Sequence, residues 1–583
     1  MNKFVKSILA LGVASAFGLS AVNAATYQVI DKGDVATLKY TYSQQENNAG
    51  DMVISGTKVY NFPVQFQYLD QDDFDAIERM AELQHENVHE LEDLEDKDAL
   101  EAGNPTANDL AWTVRYLQGN NNSSLYQKVG DTVAMTNFGD SSEEIQVFDT
   151  QFEGTNDLTR STVDYINGIT NEGWIYGNGS APYLPMPFTK SDGEEVTYWV
   201  RDFTTRGYFS IDNGETIIPV MPPESRFGGE SAIVDISDSR YAIGYASVDI
   251  DEDKLETIED ESGGCSDPDN LDDVPFEVCV QGLSANLYDL RAYKWTLDNN
   301  GAVSSEDLGL LVTPHEDDTR AYTSVAQAVN NHGVVVGYAH GWEDENETSP
   351  SKNQFRDLYA VVYKDGRVVD FTEDHSKEFD SRAYDINDAG IAVGHVTKYV
   401  NGEPRTKFYY VDTSDLENMT MVQPDDYFNG SSSTAKAINE NGIIVGDGEV
   451  ETHNDSTTNP RRRHGFMYDI NSGVFTDLNN FLPCDSAYTI IEAVDINDLN
   501  EISATSIVKV PRRDAKGELM YGDDGEQLME DVVRAVKLVP IDGEIEDCSQ
   551  VEEKVDRQGA GLGFVSLFAL FSFGLIRRLT SKR

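Results

Sequence analysis

"AYDINDAGIAVGH", residues 383–395, is the stretch whose reading decides the fold. An apolar residue leads into Asn or Asp, a Gly follows a few positions on, and alternating apolar residues come after it. That order spells strand, tight turn, strand: Asn and Asp bond their own backbone to open a turn, and Gly takes the positive φ that closes it. The phrase returns as ITNEGWIYG from Ile169, ISDSRYAIG from Ile236, VNNHGVVVG from Val329, INENGIIVG from Ile438 and INDLNEISA from Ile496, with a looser copy, NNAGDMVISG, from Asn47. Asn500 replaces the Gly in one copy and also tolerates positive φ. Arg240 does so in another, and a different turn is expected there.

A second phrase follows most copies: RGYFSI at Arg206, RAYKWTL at Arg291, RTKFYYV at Arg405, HGFMYDI at His464 and RAVKLVP at Arg534. A basic residue precedes alternating aromatic and aliphatic positions, as in a strand with one buried face. GRVVDF at Gly366 and GVFTDL at Gly473 supply a further strand, so each unit reads as a four-stranded antiparallel sheet. Anchors at 169, 236, 329, 386, 438 and 496 lie 67, 93, 57, 52 and 58 residues apart, a near-constant core with loops of differing length. Four-stranded units at this spacing predict an all-β propeller. The blades number seven with the loose copy counted and six without it. The last unit ends at RAVKLVP without its closing strand, while TYQVIDKGD from Thr26 matches GRVVDF in form. The N-terminal strand is therefore expected to complete the final blade and close the ring, since an open array leaves bare sheet edges.

These phrases resemble the HAF repeats of bacterial extracellular proteins, whose His-Ala-Phe triplet corresponds here to His464, Gly465 and Phe466. The resemblance runs from Thr26 to Pro540 and implies an uncharacterised secreted family with no catalytic residues to carry over.

Residues 1–24, MNKFVKSILALGVASAFGLSAVNA, place Lys3 and Lys6 before an apolar run and small residues at 22–24, the order of a secretory signal peptide. Residues 559–576 carry no charge and precede Arg577, Arg578, Lys582 and Arg583. Eighteen residues at ~1.5 Å each reach about 27 Å, enough for a thin bilayer, with the basic cluster cytoplasmic. Gly559, Gly561 and the terminal arginines resemble GlyGly-CTERM sorting tails, which implies transient or permanent anchoring and processing by a rhomboid-like protease; Ala560 interrupts the paired glycines. The chain divides on this reading into 1–24, a propeller at 25–558 and a tail at 559–583. It is an exported protein, facing the periplasm through one C-terminal span or reaching the cell surface after processing.

The 103 acidic and 44 basic residues give a net charge of −59, a field that repels phosphate backbones and excludes nucleic acid as a partner. Exported cysteines meet an oxidising compartment. Of three possible pairings, Cys265 with Cys279, closing an acidic loop, and Cys484 with Cys548 are favoured.

Residues 70–104 break the β pattern with a strongly acidic segment in which Phe74, Ile77, Ala81, Val88 and Leu91 recur at helical spacing. Inside it lies HENVH. On a helix His85 and His89 share a face and could hold Zn²⁺ while Glu86 activates water, the arrangement of a zinc peptidase. Glu90 and the lack of a nominated third ligand favour an ordinary solvated acidic helix instead. The loop from Asp249 to Glu277 offers Asp249, Asp251, Asp253, Asp267 and Asp269 as oxygen ligands for Ca²⁺, which suggests calcium-dependent adhesion. Lys254 stands where an EF-hand needs Gly, and a stapled, solvated loop is the simpler reading. The triplet Arg461–Arg463 reads as neutralising nearby carboxylates. The sequence thus predicts a non-enzymatic binding or scaffold module, whose partners are an extracellular protein or glycan together with the export machinery.

Overall fold

The computed structural model describes residues 25–88, 91–139, 141–453 and 459–545. Its logic starts at the repeated turn. Strands Glu378–Ile386 and Ile391–Val400 flank it. Asn387 Oδ1 accepts from Ile391 N at 3.0 Å, Gly390 N donates to Asn387 O at 3.0 Å, and Gly390 sits at φ +83°. The copies at Asn330, Asn439 and Asn497 repeat the side-chain bond, and Asn500 takes φ +59° as expected. The turn at Arg240 does not differ, contrary to the sequence expectation. Arg240 adopts φ +63°, and its N–H donates to Ser237 O at 2.8 Å as Gly390 does to Asn387. Its guanidinium lies 4.7 Å from the Trp174 ring centre and 3.0 Å from Glu172 Oε2, contacts that offset the ~1 kcal/mol cost of the left-handed conformation.

Seven antiparallel sheets follow one another around an axis as propeller blades. Their innermost strands are Leu38–Glu46, Asp164–Ile169, Ser231–Ile236, Ser324–Val329, Glu378–Ile386, Ser433–Ile438 and Tyr488–Ile496. In blade 5 the outermost strand shrinks to a bridge between Tyr410 and Val422. The strand Ala25–Asp31 pairs with Met529–Asp542 in the register Tyr27 to Pro540 and Asp31 to Val536, so the N-terminal strand completes blade 7. Apolar residues from neighbouring blades share each core; Val393 and Phe408 of blade 5 meet Ala435, Ile444 and Phe466 of blade 6.

The repeated turns explain themselves in the assembled ring. The second or third residue of each turn donates its backbone N–H to a side-chain oxygen of the next blade's turn: Asn48 to Asn171 (2.9 Å), Asn171 to Asp238 (3.0 Å), Ser239 to Asn331 (3.1 Å), Asn331 to Asp388 (2.8 Å), Asp388 to Glu440 (2.6 Å), Glu440 to Asp498 (3.2 Å) and Asp498 to Asn48 (3.3 Å). The circuit is closed, and a net gain of ~1 kcal/mol per bond makes it a belt on one face. Fully buried hydroxyls add a second connection: Ser231, Ser324, Ser381, Ser433 and Thr41 accept from Gly207, Ala292, Ala360, Phe408 and Ala535 of the preceding blade.

Just before each turn, large and small residues alternate by blade: Gln45, Gly168, Asp235, Ala328, Asp385, Ala437, Asp495. Each large side chain reaches across to a backbone N–H of the next blade: Gln45 to Ile169 (2.8 Å), Asp235 to Val329 (2.8 Å), Asp385 to Ile438 (2.7 Å) and Asp495 to Glu46 (3.0 Å). A Cβ on Gly168 would stand 2.2 Å from Gln45 Oε1, which shows why the facing residue is small. Seven is odd, so Asp495 and Gln45 are neighbours at the junction of blades 7 and 1.

The basic residue before the third strand fastens the chain entering the next blade. Arg291 Nη1 donates to Tyr322 O at 2.6 Å and Arg534 Nη1 to Gly33 O at 3.1 Å. In blade 5 this role falls to Lys407, which donates to Ser431 O at 2.6 Å, and not to the half-buried Arg405 two residues earlier.

Up-and-down strand order places the belt turns on one face and all large insertions on the other. Blade 1 carries α1 (Gln71–Gln84), α2 (Lys97–Glu101) and α3 (Ala107–Gly119), which enclose Phe74, Ile77, Leu100 and Trp112. The insertion thus extends past the 70–104 segment, because α3 lacks the acidic bias that marked the rest. Blade 2 carries a hairpin, Leu184–Thr189 with Glu195–Val200. Blade 3 carries α4 (Glu252–Glu259), α5 (Pro268–Leu271) and α6 (Phe276–Gly282), stapled by Cys265–Cys279 with Cα atoms 5.6 Å apart. These three insertions abut: Trp199 N donates to Ser124 O at 2.7 Å, and Gln281 Nε2 to Trp199 O at 3.2 Å. Cys484 is disulfide-bonded. Cys548, residues 1–24 and the span 559–576 lie outside the described residues, among which no helix is long and apolar enough to cross a membrane.

Candidate functional site

Among the described residues, those nominated for metals do not come together. Helix α1 ends at Gln84, so His85 and Glu86 lie in a turn beyond it, and the helical face required of HENVH is absent there. His85 Nδ1 is 3.0 Å from Ala81 O, closing the helix end, and His89 lies outside the described residues. Asp251 caps α4 and Asp267 caps α5, Asp253 sits in the first turn of α4, and Asp249 accepts from Ile250 N. These short helices replace the ligand loop read from the sequence, Asp269 being merely the residue whose N–H Asp267 accepts. No group of three or more His, Cys, Asp or Glu side chains placed to hold a metal occurs among the described residues. Arg461, Arg462 and Arg463 pair with Glu449, Glu451 and Asp447, as their acidic surroundings suggested.

The propeller axis carries a different arrangement. One register position of the first two strands recurs in every blade: Tyr42 opposite Ser55, Tyr165 opposite Asn178, Ala232 opposite Tyr245, Val325 opposite Tyr338, Arg382 opposite His395, Thr434 opposite Asp447 and Glu492 opposite Thr505. Two residues on, a β-bulge leaves one inner-strand residue unpaired: Asn167, Val234, Gln327, Tyr384, Lys436 or Val494 in blades 2–7. Bulges re-aim side chains. Lys436 is half-buried between the buried Ala435 and Ala437, and Gln327 likewise between Ala326 and Ala328; the bulged residue therefore turns from the blade cores toward the axis. The glycine ending the repeat phrase permits the bulge, since a Cβ on Gly394 would stand 1.9 Å from Arg382 O and one on Gly337 2.0 Å from Val325 O.

Blades 4 to 7 join these positions into one wall. The Arg382 guanidinium lies 4.8 Å from the Tyr338 ring centre, and its Nε is 3.1 Å from Asp380 Oδ1. The His395 ring stands 5.6 Å from that of Tyr384, and Lys436 Nζ lies 5.7 Å from the same ring and 3.2 Å from Glu492 Oε1. Burial lowers His395 to about 4; Asp380 opposes the fall, while Arg382, Lys436 and Arg463 add to it. The imidazole is consequently neutral at ordinary pH. It is only 8% exposed, and its Nδ1 has no hydrogen-bond partner among the described residues. Burial raises Tyr245 to about 12 and lifts Tyr338 and Tyr384, so these hydroxyls stay protonated donors.

None of these wall residues was nominated from the sequence. The signal was present, because Tyr245, Tyr338, His395 and Asp447 each directly follow the glycine that ends the repeat phrase, and Asn178 follows its counterpart Gly177.

Among solved structures the chain is similar to a puromycin-hydrolyzing peptidase of Mycobacterium tuberculosis, at 12% identity and TM-score 0.32, over 67% of this chain and 49% of that one. It is also similar to Trypanosoma rangeli sialidase in complex with 2,3-difluorosialic acid, at 10% identity and TM-score 0.29, over 72% and 57% of the two chains. Oligogalacturonate lyase from Vibrio parahaemolyticus is similar at 10% identity and TM-score 0.22, over 61% and 96%. The chain spans about half the length of the peptidase. No curated protein matches it. Residues 3–578 match the family described as protein of unknown function (DUF3466), and the chain belongs to that family.

Proposed function

We propose that the protein is an exported, non-enzymatic binding module that holds an extracellular glycan at the propeller axis. The observation that carries this reading is the axial register position, occupied by tyrosines, charged groups and amides that differ from blade to blade while the frame around them repeats. Tyrosine rings offer flat faces to sugar C–H groups, and alternating charged donors and acceptors match hydroxyls, each of which donates and accepts. Export is supported by the order of charge, apolar run and small residues at 1–24, and retention at the envelope by the uncharged segment 559–576 with its basic flank. The full chain, screened on a glycan array, is expected to bind a defined set of sugars, and Tyr338→Ala and Tyr384→Ala to lose that binding without a change in melting temperature. A blank array, or stoichiometric zinc in the purified protein that disappears with His85→Ala, overturns the proposal.

A further inference from the structure

Resting on the reading of the axis as a glycan site, we infer that the wall formed by Arg382, His395, Tyr384, Tyr338 and Lys436 seats the carboxylate of an acidic sugar. The open hydrogen-bonding groups of this wall are mostly donors. Asp380 engages only Nε of Arg382, and the two terminal amino groups of the guanidinium have no hydrogen-bond partner among the described residues. A planar fork of this kind matches the two oxygens of a carboxylate. Among the described residues Lys436 reaches Glu492 alone, at 3.2 Å, which leaves protons of its ammonium uncommitted. The hydroxyls of Tyr338 and Tyr384 likewise donate to no partner among the described residues, and His395, opposite Arg382 across the strand pair, has an unpartnered Nδ1. A buried polar atom left unpaired costs free energy comparable to a lost hydrogen bond, and a ligand oxygen supplies what is missing.

The rest of the molecule narrows the class. With a net charge of −59 the protein repels densely charged polyanions, so the ligand carries isolated acid groups on an otherwise neutral frame. The rings of Tyr338 and Tyr384 favour a sugar over an acidic peptide, because they flank the cations with faces that accept C–H surfaces.

The test is saturation-transfer NMR and titration calorimetry on the full chain with D-glucuronate, its uncharged methyl ester, D-glucose and an aspartate-bearing tripeptide. The expected result is glucuronate binding about tenfold or more tighter than ester or glucose, the loss expected when a charge-assisted bidentate pair is removed. That preference disappears in Arg382→Gln, is partly kept in Arg382→Lys, and weakens in His395→Leu but not in His395→Gln; circular dichroism and melting temperature report that each variant is folded. Equal binding of acid and ester, an undiminished acid preference in Arg382→Gln, or tighter binding of the tripeptide overturns the inference. If all the sugars bind equally and Tyr384→Ala abolishes them together, the carboxylate seat falls and the glycan site stands. If no sugar binds and the array is blank, both fall.

Discussion

Replacing Tyr27 tests the closure of the ring directly. Tyr27 lies on the first described strand, is 5% exposed, packs edge-on against Phe481 with ring centres 5.6 Å apart, and donates its hydroxyl proton to Asn500 O at 3.2 Å. Tyr27→Ala removes a buried aromatic side chain worth ~3–5 kcal/mol, a figure that already includes the edge-to-face contact and the hydrogen bond. With an unfolding entropy of roughly 2.1 cal/mol/K per residue, about 520 residues give ~1.1 kcal/mol/K, so melting falls by about 3–5 °C. Gln28, the next residue, points outward and is exposed, so Gln28→Ala serves as control and shifts melting by less than about 1 °C. Differential scanning calorimetry reads both, and amide exchange adds a spatial check: in Tyr27→Ala, protection drops along Met529–Asp542, the strand that Ala25–Asp31 covers. Equal melting of the two variants, with protection unchanged on that strand, would show that the N-terminal strand does not hold the circle shut.

Arg240→Gly relieves the left-handed backbone but loses the Trp174 and Glu172 contacts, so its stability stays within ~1 kcal/mol of wild type, whereas Arg240→Ala keeps the strain, loses the contacts and is less stable than the Gly variant by ~1 kcal/mol in urea titration. Gly337→Ala forces a methyl group to within 2.0 Å of Val325 O and costs ~1–3 kcal/mol in the same assay. Burial raises Asp385 to about 8, with Asp235 and Asp495 adding to the rise against the bond from Ile438 N. Its folded value lies above its unfolded one, so the stability it confers is full below pH ~4 and is lost as pH rises toward 8. The melting temperature of Asp385→Asn relative to wild type is therefore expected to improve from pH 5 to pH 9, and a difference that does not move with pH refutes the assignment. Replacing Cys265 and Cys279 together by Ala, which leaves the disulfide of Cys484 in place, opens only the α4–α6 insertion, which limited proteolysis detects as cleavage within residues 252–282 while the melting of the blades is retained.

The blade frame was legible because its turns demand particular residues. Asn387 and Gly390 mark such a turn by chemistry alone, and the missing strand after Arg534 was visible as a deficit matched at Thr26. Arg240 misled because its tolerance of positive φ depends on Trp174 and Glu172, and only the assembled blades bring those two beside it. Lys407 was missed for a similar reason: both Arg405 and Lys407 are basic residues on an alternating strand, and only pairing decides which one meets Ser431. Helix α3 and the blade 2 hairpin carry ordinary composition and so left no contrast to read. His395 needed a comparison across blades that treats the constant glycine as a ruler rather than as the finding. The quoted stretch holds every part: Tyr384 and His395 for the wall, Asp385 for the reach to the next blade, Asn387 and Gly390 for the turn, and Asp388 for the belt.

An alternation of bulky and compact members cannot run unbroken around a ring with an odd number of places. Somewhere two bulky members must stand side by side, and in this protein Asp495 and Gln45 do so between blades 7 and 1, the gap that residues 32–37 cross on their way from Ala25–Asp31 to Leu38–Glu46. That gap carries a peptide linker like the other six, and the non-covalent closure of the ring lies inside blade 7, where Ala25–Asp31 pairs with Met529–Asp542. Crowding and non-covalent closure thus sit at different points of the circle, so a circular permutant with new termini between blades 4 and 5 would move the seam and leave the crowded gap tethered as it is.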